Sequence, residues 1–139
     1  MSSSVRAGVA SPARTPTTTS GGYVLIDDFT ARDLQKKHKQ WLIGKSLDTF
    51  CPMGPYAVSA DEIPPDVTAL EVRSKVNGED RQYGKVADLI FDIPPELIAV
   101  LSAGITLQPG DIIATGTPAG VGIGFDPPKF VHPPVTSSR

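Results

Sequence analysis

The sequence predicts an α+β domain that is mainly β, with two or three short helices. Gly and Pro are frequent, at 13 and 14 of 139 residues, which favours strands joined by turns over a helical bundle. Residues 70–76 alternate mostly apolar with charged side chains, and Asn77-Gly78 follows as a hairpin turn signal. A chain of 139 residues can bury one hydrophobic core, so we expect a single domain.

Composition divides the chain into three parts. The first 21 residues are rich in Ser, Thr, Ala and Pro and show no hydrophobic periodicity, so we expect 1–21 to be disordered. The strand, helix and turn patterns occupy 22–130, and the tail 131–139 has no such pattern. The first part contains Arg and no acidic residue, which keeps mitochondrial import open as the alternative to a cytoplasmic protein.

The beginning of the patterned region predicts a strand followed by a helix. Tyr23–Ile26 is a short apolar run between glycine and aspartate, as in a buried strand. Thr30 has the side chain of a helix N-cap and Asp33 lies three residues later, an acidic variant of the capping box. We therefore expect a helix through about Trp41, which Gly44 ends.

The rest of the patterned region predicts short strands around a second helix. A tight turn over Pro52–Pro55 leads into a strand that ends at Ser59. Residues 70–85 form the hairpin, with its charged side chains in solvent. Ile93–Ala103 starts with two prolines and continues with apolar residues, which predicts a helix, and Asp111–Thr115 predicts another buried strand.

Charge and cysteine content exclude several classes of protein. The net charge of −2 gives no electrostatic reason to expect nucleic acid or an anionic membrane as a partner. No run of about 18 apolar residues predicts a membrane span. The lone Cys51 cannot form an intrachain disulfide, and its position beside Phe50 predicts a buried side chain. The expected partner is a small molecule or a protein.

An acidic strand end and a lysine are the candidates for chemistry. Asp27 and Asp28 supply hard oxygen donors that suit Mg²⁺, Mn²⁺ or Ca²⁺, but adjacent strand residues point to opposite faces, so one can enter a site. A solvated strand end is the alternative. Lys45 follows the expected end of the helix and precedes an apolar turn, where it could be partly desolvated in a cleft; a surface lysine is the alternative.

Two other features give weaker functional signals. The glycine-rich loop Gly116–Gly122 follows a strand but lacks the Lys-Ser/Thr pair and the helix that phosphate-binding loops need. His38 lies among lysines with no Asp or Ser placed for a triad, so we expect a solvated histidine.

Four ordered blocks of the sequence resemble the carboxy-terminal catalytic domain of the fumarylacetoacetate hydrolase family. They are GYVLIDDFTARDLQ, GKSLDTFCPMGP, VNGE and LQPGDIIATGTPAGVG, and they span residues 22 to about 130. The resemblance implies a mixed β-roll, here incomplete, and a divalent ion such as Mg²⁺, Mn²⁺ or Ca²⁺. It also implies metal-assisted hydrolysis or decarboxylation of a carbon–carbon bond in a 2-oxo, acylpyruvate-like acid.

The resemblance assigns roles to residues whose positions match the family's motifs. Asp28 is similar to the aspartate that binds the metal, and Lys45 to the lysine beside the metal that stabilises enolate or oxyanion charge. Arg32 and Gln35 are similar to residues that steady a lid glutamate or contact the substrate. Thr117 and its neighbour Gly116 resemble the contact to the substrate's carboxylate or oxyanion.

The chain also departs from the family's pattern. Relatives carry a Glu-x-Glu pair of metal ligands and a His/Glu lid before the aspartate, whereas residues 1–21 contain no Glu. One carboxylate in place of three would weaken binding of the divalent ion. The tail 131–139 replaces the family's closing strands, so we expect a chain truncated at both ends.

The resemblance leaves three functions open. One is the hydrolysis or decarboxylation described above. Another is isomerisation of a ring-cleavage or secondary-metabolite intermediate. The third is an inactive scaffold or interaction module, which leaves open whether this chain is an enzyme. A folded chain is expected to form a homodimer.

Overall fold

The strands in the described part of this protein lie in two sheets. The computed structural model describes residues 5–10, 20–91 and 95–131. One sheet has four strands in the order β3-β2-β1-β6, and the other pairs β4 with β5; each of these pairings is antiparallel. The α+β, mainly β prediction is confirmed. The described strands are β1 (Val5–Ala10), β2 (Gly22–Asp27), β3 (Met53–Ser59), β4 (Glu71–Val76), β5 (Glu79–Lys85) and β6 (Ile112–Ala114).

Short helices connect the strands. The α-helices are α1 (Arg32–His38), α2 (Trp41–Lys45) and α3 (Pro95–Ser102), and single 3-10 turns cover Val67–Ala69, Val86–Asp88 and Gly122–Gly124. The helix predicted after Ile93 agrees with α3 over its described part, and residues 92–94 lie outside the described residues.

The region after β2 contains two helices where the sequence predicted one. Lys39 adopts a left-handed conformation, with φ of 55°, and this ends α1 before α2 begins. Ala31, not Thr30, is the N-cap of α1, and it makes no side-chain capping bond. Gly44 lies inside α2 instead of ending a helix. The prediction erred because Lys39 carries no sequence signal for a left-handed residue.

The strand β1 lies within the segment for which disorder was expected. Its backbone pairs with β2 on one side and β6 on the other, so it joins the two halves of the larger sheet. Pairing on both sides satisfies backbone groups whatever the hydrophobic pattern of the strand, and the composition gave no such signal. Residues 1–4 and 11–19 of the same segment, and 132–139 of the expected tail, lie outside the described residues.

The hairpin of β4 and β5 is confirmed. Asn77 and Gly78 have φ values of 53° and 83°, which fit the two central positions of a tight hairpin turn. Along β4, residues alternate between exposed and half-buried, as the sequence pattern predicted. The register places Ser74 opposite Gln82. The strand β3 begins at Met53, so the expected turn at Pro52–Pro55 is mostly strand.

The apolar core gathers around β6. Ile113 is 8% exposed and packs against half-buried side chains from β2, from the turn after β5 and from α3 and its following loop: Tyr23, Val86, Leu89, Leu97, Ile98, Leu101 and Leu107. The predicted strand at Asp111–Thr115 is therefore confirmed over β6. Within the described residues, no helix is long and apolar enough to cross a membrane.

A hydrogen bond between Tyr83 and Glu71 in the hairpin should make the stability of the fold depend on pH. Tyr83 donates to Glu71 Oε1 at 2.7 Å, and this bond, with a second from Arg73, holds the pKa of Glu71 below its ordinary 4.5. Because Glu71 has a lower pKa in the folded chain than in the unfolded chain, its ionised carboxylate stabilises the fold at pH values above 4.5. This stabilisation is lost as the pH falls through the lowered pKa. We expect Tyr83→Phe to lower the thermal unfolding midpoint at neutral pH and to have less effect in acid. Tyr56→Phe, on an exposed ring, is the control; equal losses at both pH values for Tyr83→Phe would contradict the prediction.

Candidate functional site

A lysine, an aspartate and a threonine meet at the end of β2. Lys45 Nζ lies 2.5 Å from Asp28 Oδ2 and donates to Thr30 Oγ1 at 3.1 Å. The side chains of Asp28 and Lys45 are 14% and 20% exposed, and Thr30 is 1% exposed. This ion pair is mostly shielded from water, so its two charges attract one another more strongly than the charges of an ion pair on the surface do. We call these three residues the lysine cluster.

Local sequence explains how Lys45 reaches the strand end. Gly44 packs against the start of α1, where an added Cβ would lie 3.0 Å from the Ala31 carbonyl oxygen and 3.0 Å from the Gln35 nitrogen. The Ala31 N–H donates to the Gly44 carbonyl at 2.8 Å. Because Gly44 has no side chain, α2 approaches α1 closely and the next residue, Lys45, points toward β2.

The chain after α2 holds Asp28 from its other side. The N–H groups of Asp27 and Phe29 donate to the carbonyls of Pro52 and Phe50, both at 3.0 Å. The rings of Phe29 and Phe50 pack with centroids 6.1 Å apart, and Phe50 is 6% exposed. These contacts fix the backbone on both sides of Asp28, so its carboxylate is positioned by packed neighbours and not by a loose strand end.

Arg32 and Gln35 form a second polar pair, on the first turn of α1. Arg32 Nη1 donates to Gln35 Oε1 at 2.8 Å, and both side chains are half-buried. The three-residue spacing places both on one helix face. The bond holds the planar guanidinium of Arg32 in one orientation.

Gly116 and Thr117 lie at a cavity to which the lysine cluster does not contribute. The cavity has a volume of about 530 Å³ and is lined by β5, by the turn after it, by α3 and by residues 115–119. Thr117 Oγ1 accepts a hydrogen bond from Gln82 Nε2 at 2.9 Å. The structure therefore brings the six predicted residues together in three groups: Asp28 with Lys45, Arg32 with Gln35, and Gly116 with Thr117.

The described residues do not fit a complete divalent-metal site. No group of three or more His, Cys, Asp or Glu side chains converges anywhere in the described ranges. Asp28 supplies one carboxylate, and one of its oxygens is held by the Lys45 ammonium. A divalent ion needs several oxygen ligands, so a lone carboxylate bonded to a cation is a poor host.

Sequence reasoning missed two polar residues at these sites. Thr30 was interpreted as a helix cap, but its hydroxyl accepts from Lys45. Gln82 received no role, although it is 4% exposed and bonds Thr117. The sequence carried no signal for Gln82, because a two-residue turn at Asn77-Gly78 would place it opposite the charged Arg73. A register shift between Ser74 and Lys75 places it opposite Ser74 instead.

The two remaining candidates, His38 and Cys51, lie at the surface. His38 is exposed, as predicted. Cys51 is also exposed, so the prediction of a buried thiol was wrong. Its neighbour Phe50 is the buried residue here and packs against the Phe29 ring, whereas the thiol is exposed.

Comparison with known proteins places these groups in a family. Residues 18–135 match the family model described as fumarylacetoacetate (FAA) hydrolase C-terminal. Oxaloacetate tautomerase YisK of Bacillus subtilis (strain 168) is 61% identical over 111 residues, which are 80% of this chain and 36% of that relative.

Solved structures show the same fold. A fumarylacetoacetate hydrolase from psychrophilic Exiguobacterium antarcticum superimposes with a TM-score of 0.84 at 40% identity, over 94% of this chain and 49% of that one. A 5-carboxymethyl-2-hydroxymuconate delta-isomerase from Mycobacterium smegmatis gives 0.76 at 38% identity, over 87% and 49%. The chain thus spans between a third and a half of the length of these relatives.

These matches confirm the predicted type of fold and the resemblance on which it was based. The family match covers most of the chain and includes every predicted site residue. The chain belongs to the fumarylacetoacetate hydrolase family, in the region that forms its carboxy-terminal domain.

Proposed function

We propose that this chain acts on a 2-oxo acid by stabilising the enolate that forms at its keto group. The observation that carries the proposal is the shielded lysine cluster, in which Asp28 and Thr30 hold Lys45. An ammonium fixed in a site of reduced water access stabilises developing negative charge without reorganising first. A 2-oxo acid develops that charge on its keto oxygen when the adjacent carbon loses a proton or a bond.

The donors of Lys45 suit this role. An ammonium has three N–H donors. Asp28 and Thr30 accept two of them, and the centroid of the Trp41 ring lies 6.0 Å from Nζ; no third hydrogen-bond acceptor of Nζ is found in residues 5–10, 20–91 and 95–131. The third donor would bond the keto oxygen, and this bond strengthens as the oxygen becomes an enolate. Asp28 and Thr30 then act by fixing the direction of the ammonium.

Arg32 and Gln35 are proposed to contact the substrate's carboxylate. A guanidinium recognises a carboxylate through two parallel N–H donors, and the bond from Arg32 to Gln35 limits its rotation. Thr117 and Gly116 are proposed to contact a second anionic oxygen. The chemical class that we propose for these groups is a 2-oxo acid, whose carboxylate and keto group supply the oxygens that they would contact.

Keto–enol interconversion is the first reaction that we propose. The C3 proton leaves to a base, and the electrons of the C3–H bond form the C2–C3 double bond. The keto oxygen takes the negative charge of the enolate and then a proton. The 61% identity to a relative named oxaloacetate tautomerase supports this choice. Carbon–carbon hydrolysis or decarboxylation is the second candidate, because the family model and the Exiguobacterium antarcticum structure are both named for a hydrolase.

Oxaloacetate tests the proposal with the full chain. Enol absorbance follows interconversion, while release of CO₂ and pyruvate follows decarboxylation. We expect turnover that Asp28→Asn lowers by about 10-fold or more, because Lys45 loses its charged anchor. Asp33→Asn, which removes an exposed carboxylate of α1, is the matched control. Equal rates for Asp28→Asn and the control would contradict the assignment of the lysine cluster.

The inactive-scaffold alternative has its own observation, the absence of a carboxylate cluster among the described residues. Titration calorimetry with Mg²⁺ and oxalate separates it from the enzyme. No turnover and no binding heat, with or without Mg²⁺, would establish the scaffold. Binding in the micromolar range together with turnover would exclude it.

A further inference from the structure

We infer that Gln82 is a positioning residue, which holds the Thr117 hydroxyl so that it donates its proton to a carboxylate oxygen of the ligand. This inference rests on the proposed function, because it concerns the same 2-oxo acid. It extends that function to a buried amide in β5 that makes no contact with the substrate.

The amide of Gln82 is hydrogen-bonded to the loop at Thr117 and to β4. Its Nε2 donates to Thr117 Oγ1 and to the Pro118 carbonyl oxygen, both at 2.9 Å. Its Oε1 accepts from Ser74 Oγ at 3.3 Å across the hairpin. With Gln82 only 4% exposed, water does not compete for these bonds.

The Pro118 carbonyl decides which way the amide faces. A carbonyl oxygen only accepts, so the Gln82 atom 2.9 Å from it must be the NH₂ group. The same NH₂ group therefore faces Thr117, whose hydroxyl oxygen must accept the second N–H. Ser74 can donate to the opposite end of the amide, which agrees with this orientation.

The hydroxyl proton of Thr117 is consequently left to donate elsewhere. Within the described residues, the hydroxyl has the Pro118 carbonyl oxygen as its acceptor, at 3.5 Å, a long distance for an O–H donor. That carbonyl already accepts a hydrogen bond from Gln82. Thr117 is exposed and lines the 530 Å³ cavity. A carboxylate oxygen is a stronger acceptor than that carbonyl, so a ligand in the cavity would take the proton.

Close packing keeps this loop on β5. An added Cβ at Gly84 would lie 2.7 Å from Pro118 Cβ, so the strand approaches the loop where it has no side chain. An added Cβ at Gly120 would lie 2.0 Å from the Arg81 carbonyl oxygen. The loop can therefore keep its place without Gln82, and loss of the amide should change the direction of the hydroxyl more than the position of the backbone.

The test uses oxalate as the probe and NMR signals of the Gly116 and Thr117 amides as the readout. We expect Gln82→Met to raise the oxalate Kd by about 10-fold, the effect of one hydrogen bond to a charged group. Thr117→Val should cause a similar loss, Thr117→Ser should restore binding, and the double variant Gln82→Met with Thr117→Val should bind no more weakly than Thr117→Val alone. Gln108→Met, on an exposed glutamine, is the matched control.

A merely structural role would make the two losses multiply, and this outcome would overturn the inference. So would an oxalate titration of the unaltered chain that leaves the amide signals of Gly116 and Thr117 unshifted.

If Gln82→Met does not fold, Gln82→Glu replaces it. Its carboxylate only accepts hydrogen bonds, so it should draw the Thr117 proton away, and Thr117→Val should then cause no further loss of oxalate binding. Binding at the loop without oxaloacetate turnover would refute the proposed function and leave the inference standing. Turnover of oxaloacetate with the same KM in Gln82→Met and in the unaltered chain would support the proposed function and refute the inference.

Discussion

Replacement of Lys45 by Met is expected to lower kcat on oxaloacetate by about 10²- to 10³-fold, the usual effect of removing one stabiliser of an oxyanion. Met keeps the length and apolar stem of the lysine and removes its charge. Since Lys45 Nζ is 2.5 Å from Asp28 Oδ2, the exchange also leaves that carboxylate, 14% exposed, without its cation. The denaturation midpoint should therefore fall together with the rate.

A double variant separates these two effects. Asp28→Asn combined with Lys45→Met removes both charges, so we expect stability to recover while kcat stays low. Lys36→Met is the matched control, because Lys36 is exposed on α1 and should affect neither quantity. Recovery of kcat in the double variant would show that Lys45 only neutralises Asp28. In that case the proposed stabilisation of the enolate would be wrong.

Gly120→Ala is expected to lower the free energy of unfolding by about 3 to 5 kcal/mol. Gly120 has φ of 101°, a conformation that strains any residue with a Cβ. The new Cβ would also lie 2.0 Å from the Arg81 carbonyl oxygen and 3.2 Å from Gln82 Cα, so the loop must leave β5. Chemical denaturation measures the loss, and weaker oxalate binding at Thr117 should accompany it.

Gly110→Ala isolates the contribution of the backbone conformation. Gly110 has φ of 90°, but an added Cβ meets no heavy atom within 4 Å. We expect a loss of about 1 to 2 kcal/mol from strain alone. Equal losses in the two variants would mean that the loop moves away from Arg81 at little cost. That result would contradict the close packing from which we infer that the loop stays in place.

Much of the candidate site was predictable from local sequence. The strand before Asp28 was marked by a short apolar run, and the Asn77-Gly78 hairpin by its turn chemistry. The polar residues of the four motif blocks pointed to Asp28, Lys45 and Thr117 before any geometry was known. The strand and the hairpin depend on neighbours in the chain, which is why periodicity and turn chemistry predicted them. The three site residues came from the resemblance to the family, and their roles stay predictions. The homodimer stays a prediction.

Other features depend on residues distant in sequence and could not be predicted in this way. β1 is a strand because β2 and β6 lie on either side of it, and its own composition suggested disorder. Gly44 is small because α2 touches α1, not because a helix ends there. Thr30 and Gln82 acquire their partners from residues 15 and 35 positions away.

The sequence by itself determined the mainly β fold class, through composition and periodicity, and the family, through the resemblance of its four ordered motif blocks. Only the tertiary structure decided which polar groups meet. It paired Lys45 with Asp28, directed the amide of Gln82 at Thr117, and gave the described residues one carboxylate at the lysine cluster. The physical reason is that hydrogen bonds and ion pairs act over a few ångströms in space, whatever the separation along the chain.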